Sequence, residues 1–230
     1  MFTSTTGRLT SAAVATVAGL AVLAPAAQAV ERGPAEPMAP RLTVAGYTKY
    51  LKAQSTPEAR KALKRFLALT RGQQTVFVKD LQDRRIHKAL LGKVAAPIGK
   101  PVSITDPYNK EVRFVTQATS KVGKDKNRTT TVSFTVTQEI FRIPVTSETL
   151  TISYPTAGHG PKKITGKAKV TNVNAAIAIK DNPRVVVKGS DAQTLWVAIP
   201  QVKSFGKPVH KKQHLQRTAP GFRAQLTDQD

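Results

Sequence analysis

The clearest pattern in the chain runs from Thr129 to Tyr154. Val132, Phe134, Val136 and Ile140 fall on one phase of a two-residue period, and Thr131, Ser133, Thr135 and Thr137 on the other. Alternate side chains of a strand point to opposite faces, so this stretch predicts a strand with one apolar face and one hydroxyl-rich wet face. After Gln138 the apolar phase slips to Phe141 and Ile143. A one-residue slip is the signature of a bulge, which bends a strand and can carry it from one sheet to another. Val132, Phe134 and Val136 are expected to be buried, with Phe141 buried on a differently oriented stretch. Pro144 lacks a backbone donor and should end the ladder. A turn over 145–148 and a return strand through Leu150, Ile152 and Tyr154 then complete a long hairpin.

Upstream, over 42–93, the period is helical. Val44, Tyr47, Tyr50 and Leu51 lie at helical spacing. Ser55-Thr56-Pro57-Glu58 is a start signal: a hydroxyl cap, a proline at the first helical position, then an acid in the first turn. Ala59, Ala62, Leu63, Phe66 and Leu67 follow as one apolar stripe, with Arg60, Lys61, Lys64 and Arg65 opposite. Thr70 and Gln73 form a capping-box pattern ahead of Val76, Phe77 and Leu81. Asp83 can cap a last short helix through Leu91, which Gly92 would stop. Helices this short must pack on something to persist.

From Val102 onward the period is two. Strand candidates are 102–104, 112–118, 130–143, 150–154, 164–179 with an interruption near Asn172, 184–187 and 195–199, with turn signals between them. Short strands with regular turns and no intervening helix argue for a sandwich or barrel. The expected fold is α+β: a helical segment over 42–93 packed on a C-terminal antiparallel β-sandwich, Ig-like or barrel-like, over 102–200. An Ala-, Pro- and Gly-rich linker over 94–101 joins them. Residues 30–41, with several prolines and two acids, read as a flexible leader. Residues 201–230, rich in Lys and Gln, read as a basic unstructured tail.

The first 29 residues stand apart. Arg8 is the only charged side chain before Glu31, Ala12 to Ala24 is a run of small and apolar residues, and Ala27-Gln28-Ala29 follows Pro25. These are the parts of a cleaved secretory signal, which places the mature start near Val30. Thirteen residues span about 20 Å as a helix, short of a hydrocarbon core of about 30 Å, so no transmembrane segment is expected in the mature chain. The expected location is extracellular or cell-wall associated.

Charge sharpens this picture. Lys plus Arg number 36 against 14 Asp plus Glu, a net +22, and loss of the signal leaves +21. Such a surplus attracts polyanions without dictating a fold. The partners it favours are an anionic polymer or acidic protein outside the cell, or an anionic membrane or wall surface. Two basic groups stand out. Lys121, Lys124, Lys126 and Arg128 put four cations into eight residues at a hairpin tip. Lys162, Lys163, Lys167 and Lys169 lie on and before a strand whose apolar residues face the other way. They form a candidate polyanion-binding surface or, as plainly, a solvated one; pattern alone leaves open whether they share a side.

Candidate chemistry is thin. The chain has no cysteine, which excludes thiol catalysis and cysteine-ligated metals. His210 and His214 are spaced i, i+4, but Lys211 stands where a zincin places its glutamate, so no metal site is expected. No G-x-S-x-G, Walker or dinucleotide glycine pattern occurs. Gly189-Ser190-Asp191 reads as a turn. His159, between Gly158 and Gly160, is the one histidine set in a loop that a ligand could approach closely. Tyr47 and Tyr50 interleave with Lys49 and Lys52 as nucleic-acid platforms do, yet share a face with Val44 and Leu51, as core residues do. Trp196 opposes Leu195, Val197 and Ile199 in phase, so it is either a second core face or an exposed platform. Asn127-Arg128-Thr129 matches a glycosylation acceptor. The expectation is a secreted, non-enzymatic binding protein with no cofactor. A protein–protein module, such as a protease inhibitor or a cross-linking substrate, is the alternative; a hydrolase with an unrecognised site is the third.

Overall fold

The computed structural model describes residues 38–124, 128–156, 164–180 and 183–229. The expected signal, and all but the end of the expected leader, lie outside them.

Among the described residues four α-helices come first: α1 Val44–Ala53, α2 Pro57–Leu67, α3 Arg71–Leu81 and α4 Arg84–Lys88. Each starts where a side-chain oxygen takes up an orphan amide. Thr43, Thr56 and Asp83 cap α1, α2 and α4, and Thr70 with Gln73 completes a capping box on α3. Tyr47, Phe66 and Phe77 meet with ring centroids 5.0 to 5.4 Å apart, a fully buried aromatic knot that joins α1, α2 and α3. The α2 stripe is narrower than expected: Ala59, Ala62 and Phe66 are buried, but Leu67 faces solvent.

Eleven strands follow among the described residues: β1 Gly92–Pro97, β2 Val102–Pro107, β3 Val112–Val122, β4 Thr130–Ile140, β5 Ile143–Tyr154, β6 Thr165–Asn172, β7 Ile177–Ile179, β8 Val185–Lys188, β9 Asp191–Pro200, β10 Val209–Arg217 and β11 Gly221–Asp228. They form two antiparallel sheets in a sandwich-like arrangement, with no closed barrel. The five-stranded sheet is a plain meander, β2-β3-β4-β5-β6, and the six-stranded sheet runs β1-β11-β10-β9-β7 with β8 also paired to β9. Val132, Phe134, Val136, Leu150 and Ile152 are fully buried. Trp196 joins this core at 1 % exposed while Leu195 and Ile199 face solvent, so the smaller aliphatics, not the indole, take the outer face.

Three expectations are overturned. The first concerns the central hairpin. It turns at Phe141-Arg142, both at positive φ, and not over 145–148. Two left-handed residues suit a two-residue hairpin turn, usually Asn-Gly. Here the turn is held from outside: the Phe141 amide donates to Glu111 O at 2.7 Å, and Arg65 Nη1 donates to Arg142 O at 3.3 Å. Phe141 is only half-buried. The bulge exists, but on the return strand. Gln138 faces Thr146 and Glu139 faces Pro144, which leaves Val145 as the extra residue. Pro144 therefore lies within the ladder and does not end it.

The second is the linker. Gly92 does not merely stop a helix; it opens β1, which pairs with β11 along its whole length. A Cβ on Gly92 would sit 2.7 Å from both Thr116 Oγ1 and Val136 Cγ2, so only glycine lets β1 approach the other sheet this closely.

The third is the tail. Residues 201–229 hold a short 3-10 turn (Lys203–Phe205), β10 and β11, and these two strands are interior members of the six-stranded sheet. Inward positions of β10 are Val209, Lys211, Gln213 and Leu215, all buried. The alternation is there, but half of its core face is polar, which hides it from a hydropathy reading. The end of the leader is also engaged: Ala39 bridges Val202, and Lys203 N donates to Ala39 O.

Candidate functional site

The outward face of the five-stranded sheet carries the hydroxyls that the alternation predicts. On β4 and β5 they pair across the strands in four successive rungs: Thr131–Ser153, Ser133–Thr151, Thr135–Thr149 and Thr137–Ser147, each 2.9 to 3.0 Å. In each rung one hydroxyl donates to the other, whose own O–H is left free to donate outward, so the ladder is a pre-ordered, uncharged surface.

Strand register places the basic residues around it. Lys121 lies opposite Thr131, Lys167 opposite Thr151 and Lys169 opposite Thr149, so all three share this face. Lys121 on β3 and Lys167 on β6 flank the ladder about 15 Å apart, from strand spacing. Lys124 and Arg128 are exposed in the β3–β4 connection at the same end, where the Thr156 hydroxyl, just past β5, donates to the Arg128 carbonyl. Lys126, Lys162 and Lys163 lie outside the described residues, as do Asn127 and His159. At the far end the charge is balanced: Arg113 grips Glu139 through Nε at 2.7 Å and Nη2 at 2.6 Å. Among the described strand residues, Glu139 is the one acid on this face. The cationic end therefore has no built-in counter-charge on its strands.

His210 and His214 fall on β10, not on a helix, and share the outer face of the six-stranded sheet with Lys212 between them. His214 Nε2 stands 3.5 Å from Asp191 Oδ1. Among the described residues, no three His, Cys, Asp or Glu side chains gather closely enough to hold a metal ion.

A second constellation escaped the sequence reading. His87, Gln138, Glu148, Lys211 and Gln213 are all buried to 2 % exposure or less. Lys211 Nζ donates to Lys88 O at 2.9 Å and Leu90 O at 2.8 Å, neutralising the carbonyl end of α4. Gln213 bridges the two sheets: its Oε1 accepts from Trp196 Nε1 at 2.9 Å, and its Nε2 donates to Phe134 O at 3.1 Å and Glu148 O at 3.2 Å. Burial pushes the Glu148 carboxyl up to about 7 against the pull of Lys211. Burial, then the charge of Lys211, pushes the His87 imidazole down to about 3, with the Gln138 side chain and the charge of Asp228 opposing. Perturbed titrating groups mark active sites only where a substrate can reach them. These are sealed between the sheets and α4; Lys211 and Gln213 are the polar fasteners, whereas both Glu148 carboxyl oxygens, His87 Nδ1 and Gln138 Oε1 are buried without a hydrogen-bond partner. Lys and Gln at alternate positions of an otherwise apolar strand were the signal available for them.

Compared with protein-family models, curated proteins and solved structures, the chain matches none.

Proposed function

We propose that this is an exported, non-enzymatic protein that binds an anionic polymer outside the cell on the outer face of its five-stranded sheet. The observation that carries the reading is the register that brings Lys121, Lys167 and Lys169 to one face, beside Lys124 and Arg128 at the same end. The hydroxyl ladder supports it. A polyanion brings acceptors in series, and a row of hydroxyls between two flanks of lysine offers donors in series. Export rests on the pattern of residues 1–29, and long-range attraction on the surplus of positive charge.

The test is a salt series against a polyphosphate-backbone polymer and a neutral glycan. Binding to the polymer should weaken with salt at a log–log slope of about −0.7 to −0.9 per neutralised phosphate. Replacing Lys121, Lys167 and Lys169 together with Gln should reduce the slope by about two to three and leave the fold intact. Binding indifferent to salt, or equal for the neutral glycan, would reject the reading.

A further inference from the structure

A cleft of about 300 Å³ opens between α2 and the first residues of β5, apart from both the cationic end of the sheet and the sealed polar cluster. It exists because β5 is bulged. The unopposed Val145 and the donor-less Pro144 displace the start of the strand from the regular pleat. Val145 is kept in place by its carbonyl, which accepts from Val173 N at 2.8 Å. The floor is apolar and itself buried: Ala62 from α2, Ile143 and Val145 from β5. Lys61 and Arg65 stand at the rim, four residues apart on α2 and therefore side by side, both exposed. Arg65 spends one N–H on Arg142 O, which fixes its guanidinium over the hairpin turn. Glu58 lines the cleft one turn earlier on the helix. The three charges sum to +1.

We propose that this cleft binds a small apolar monoanion, a medium-chain alkyl or aryl carboxylate. Its hydrocarbon lies on Ala62, Ile143 and Val145, and its carboxylate lies between Lys61 and Arg65. The volume is at the lower end for small-molecule sites, which favours a small ligand over a lipid with two chains. An apolar floor gives affinity without orientation, and the cation pair supplies the orientation. Arginine's planar fork matches a carboxylate, and a net +1 is balanced by one negative charge. The site shares no basic residue with the polyanion reading. The rung Thr137–Ser147 at the cleft and the rung Thr131–Ser153 beside Lys121 are six residues apart along β4, about 20 Å, and of the polyanion lysines only Lys169, two residues from Thr171 on β6, comes near the cleft.

The experiment uses octanoate as the probe, with octanol and octylamine as controls, followed by calorimetry and by amide shifts in a labelled full chain. Octanoate should bind, shift the amides of Ala62, Ile143 and Val145, and outcompete both controls. Lys61→Glu, at an exposed position that leaves the core untouched, should weaken it about tenfold or more, the usual weight of a charged hydrogen bond. Arg65→Glu should do the same, and because Arg65 also holds the turn at Phe141-Arg142, unchanged Phe141 and Ile143 amide shifts in its ligand-free form separate loss of charge from loss of the turn. Thr171→Phe, which fills the cleft from β6, should abolish binding with the charges intact. The double Gln variant of Lys121 and Lys167, both remote from the cleft, should bind octanoate as wild type does, so the two sites fail or stand separately. No shift at the cleft amides, equal binding of octanol, or indifference to both charge reversals would overturn the proposal.

Discussion

Two hairpins face each other across this core, and they differ in how openly their sequences announce it. In β4–β5 the middle of the inward face, Val132, Phe134, Val136, Leu150 and Ile152, is apolar, with Gln138 and Glu148 buried beside it, and the outward positions are mostly hydroxyls. In β10–β11 the inward positions of β10 are Val209, Lys211, Gln213 and Leu215, and those of β11 are Phe222, Ala224 and Leu226. The two are equally buried. What separates them is what the buried side chains meet. Phe134 meets other hydrocarbon, whereas Lys211 meets the carbonyls that end α4, and Gln213 meets a tryptophan N–H and two carbonyls of the opposite sheet. A buried polar group is tolerated when its partners are in place, and those partners come from distant parts of the chain. The first hairpin thus builds the core, and the second locks helices and sheets onto it.

The largest expected effect comes from removing the second hairpin. A chain stopped after Gln201 loses β10 and β11 together with buried Phe205, Val209, Leu215, Phe222 and Leu226. At about 1.5–3 kcal/mol per large buried side chain, that is comparable with the whole stability of a typical domain. It should show no cooperative unfolding transition by circular dichroism in denaturant. A wild-type midpoint would return 201–229 to the status of a tail.

Next comes a matched pair. Phe134→Ala in the first hairpin and Phe222→Ala in the second each empty a site that is 1 % exposed or less. Each should cost about 3–5 kcal/mol in a denaturant titration. A loss under about 1 kcal/mol for Phe222 alone would show that the second hairpin is peripheral.

The smallest effect addresses the polar fasteners. Lys211→Met keeps the length of the side chain but strands two carbonyls, at about 1–3 kcal/mol. The pH dependence sharpens the point. In the fold Glu148 holds a proton that an unfolded carboxyl releases near 4.5, so its contribution is complete below 4.5 and is lost as pH rises towards about 7. Asp80, pushed up to about 6 chiefly by burial, acts in the same sense. His87 is refused a proton that an unfolded imidazole accepts near 6.5, so its contribution is complete above 6.5 and is lost on acidification towards about 3. From 4.5 to about 6 Glu148 and Asp80 together outweigh His87, so the unfolding midpoint falls as pH rises; from about 6 to 6.5 Glu148 and His87 oppose each other alone and the midpoint levels off. His87→Gln should remove the acid-side fall, and Glu148→Gln should flatten the fall on the neutral side. An unchanged profile in both variants would mean that neither group titrates with folding.

The two-residue period over 130–154, the helix caps at Thr56, Thr70 and Asp83, and the hydroxyl face are local matters. They follow from side-chain alternation and from hydroxyls and carboxylates within a few residues of the amides they cap, so the chain alone determined them. The turn at Phe141-Arg142 was decided elsewhere, because its left-handed pair is held by Glu111 and Arg65 and carries no turn residue of its own. The convergence of Lys121 with Lys167 and Lys169, separated by more than forty residues, needed the strand register. So did the cleft between α2 and β5. The burial of Lys211 and Gln213 was the least legible, because hydropathy records the cost of burying a polar side chain and not the partners that offset it. Those partners, at positions 88, 90, 134, 148 and 196, come together only in the folded molecule.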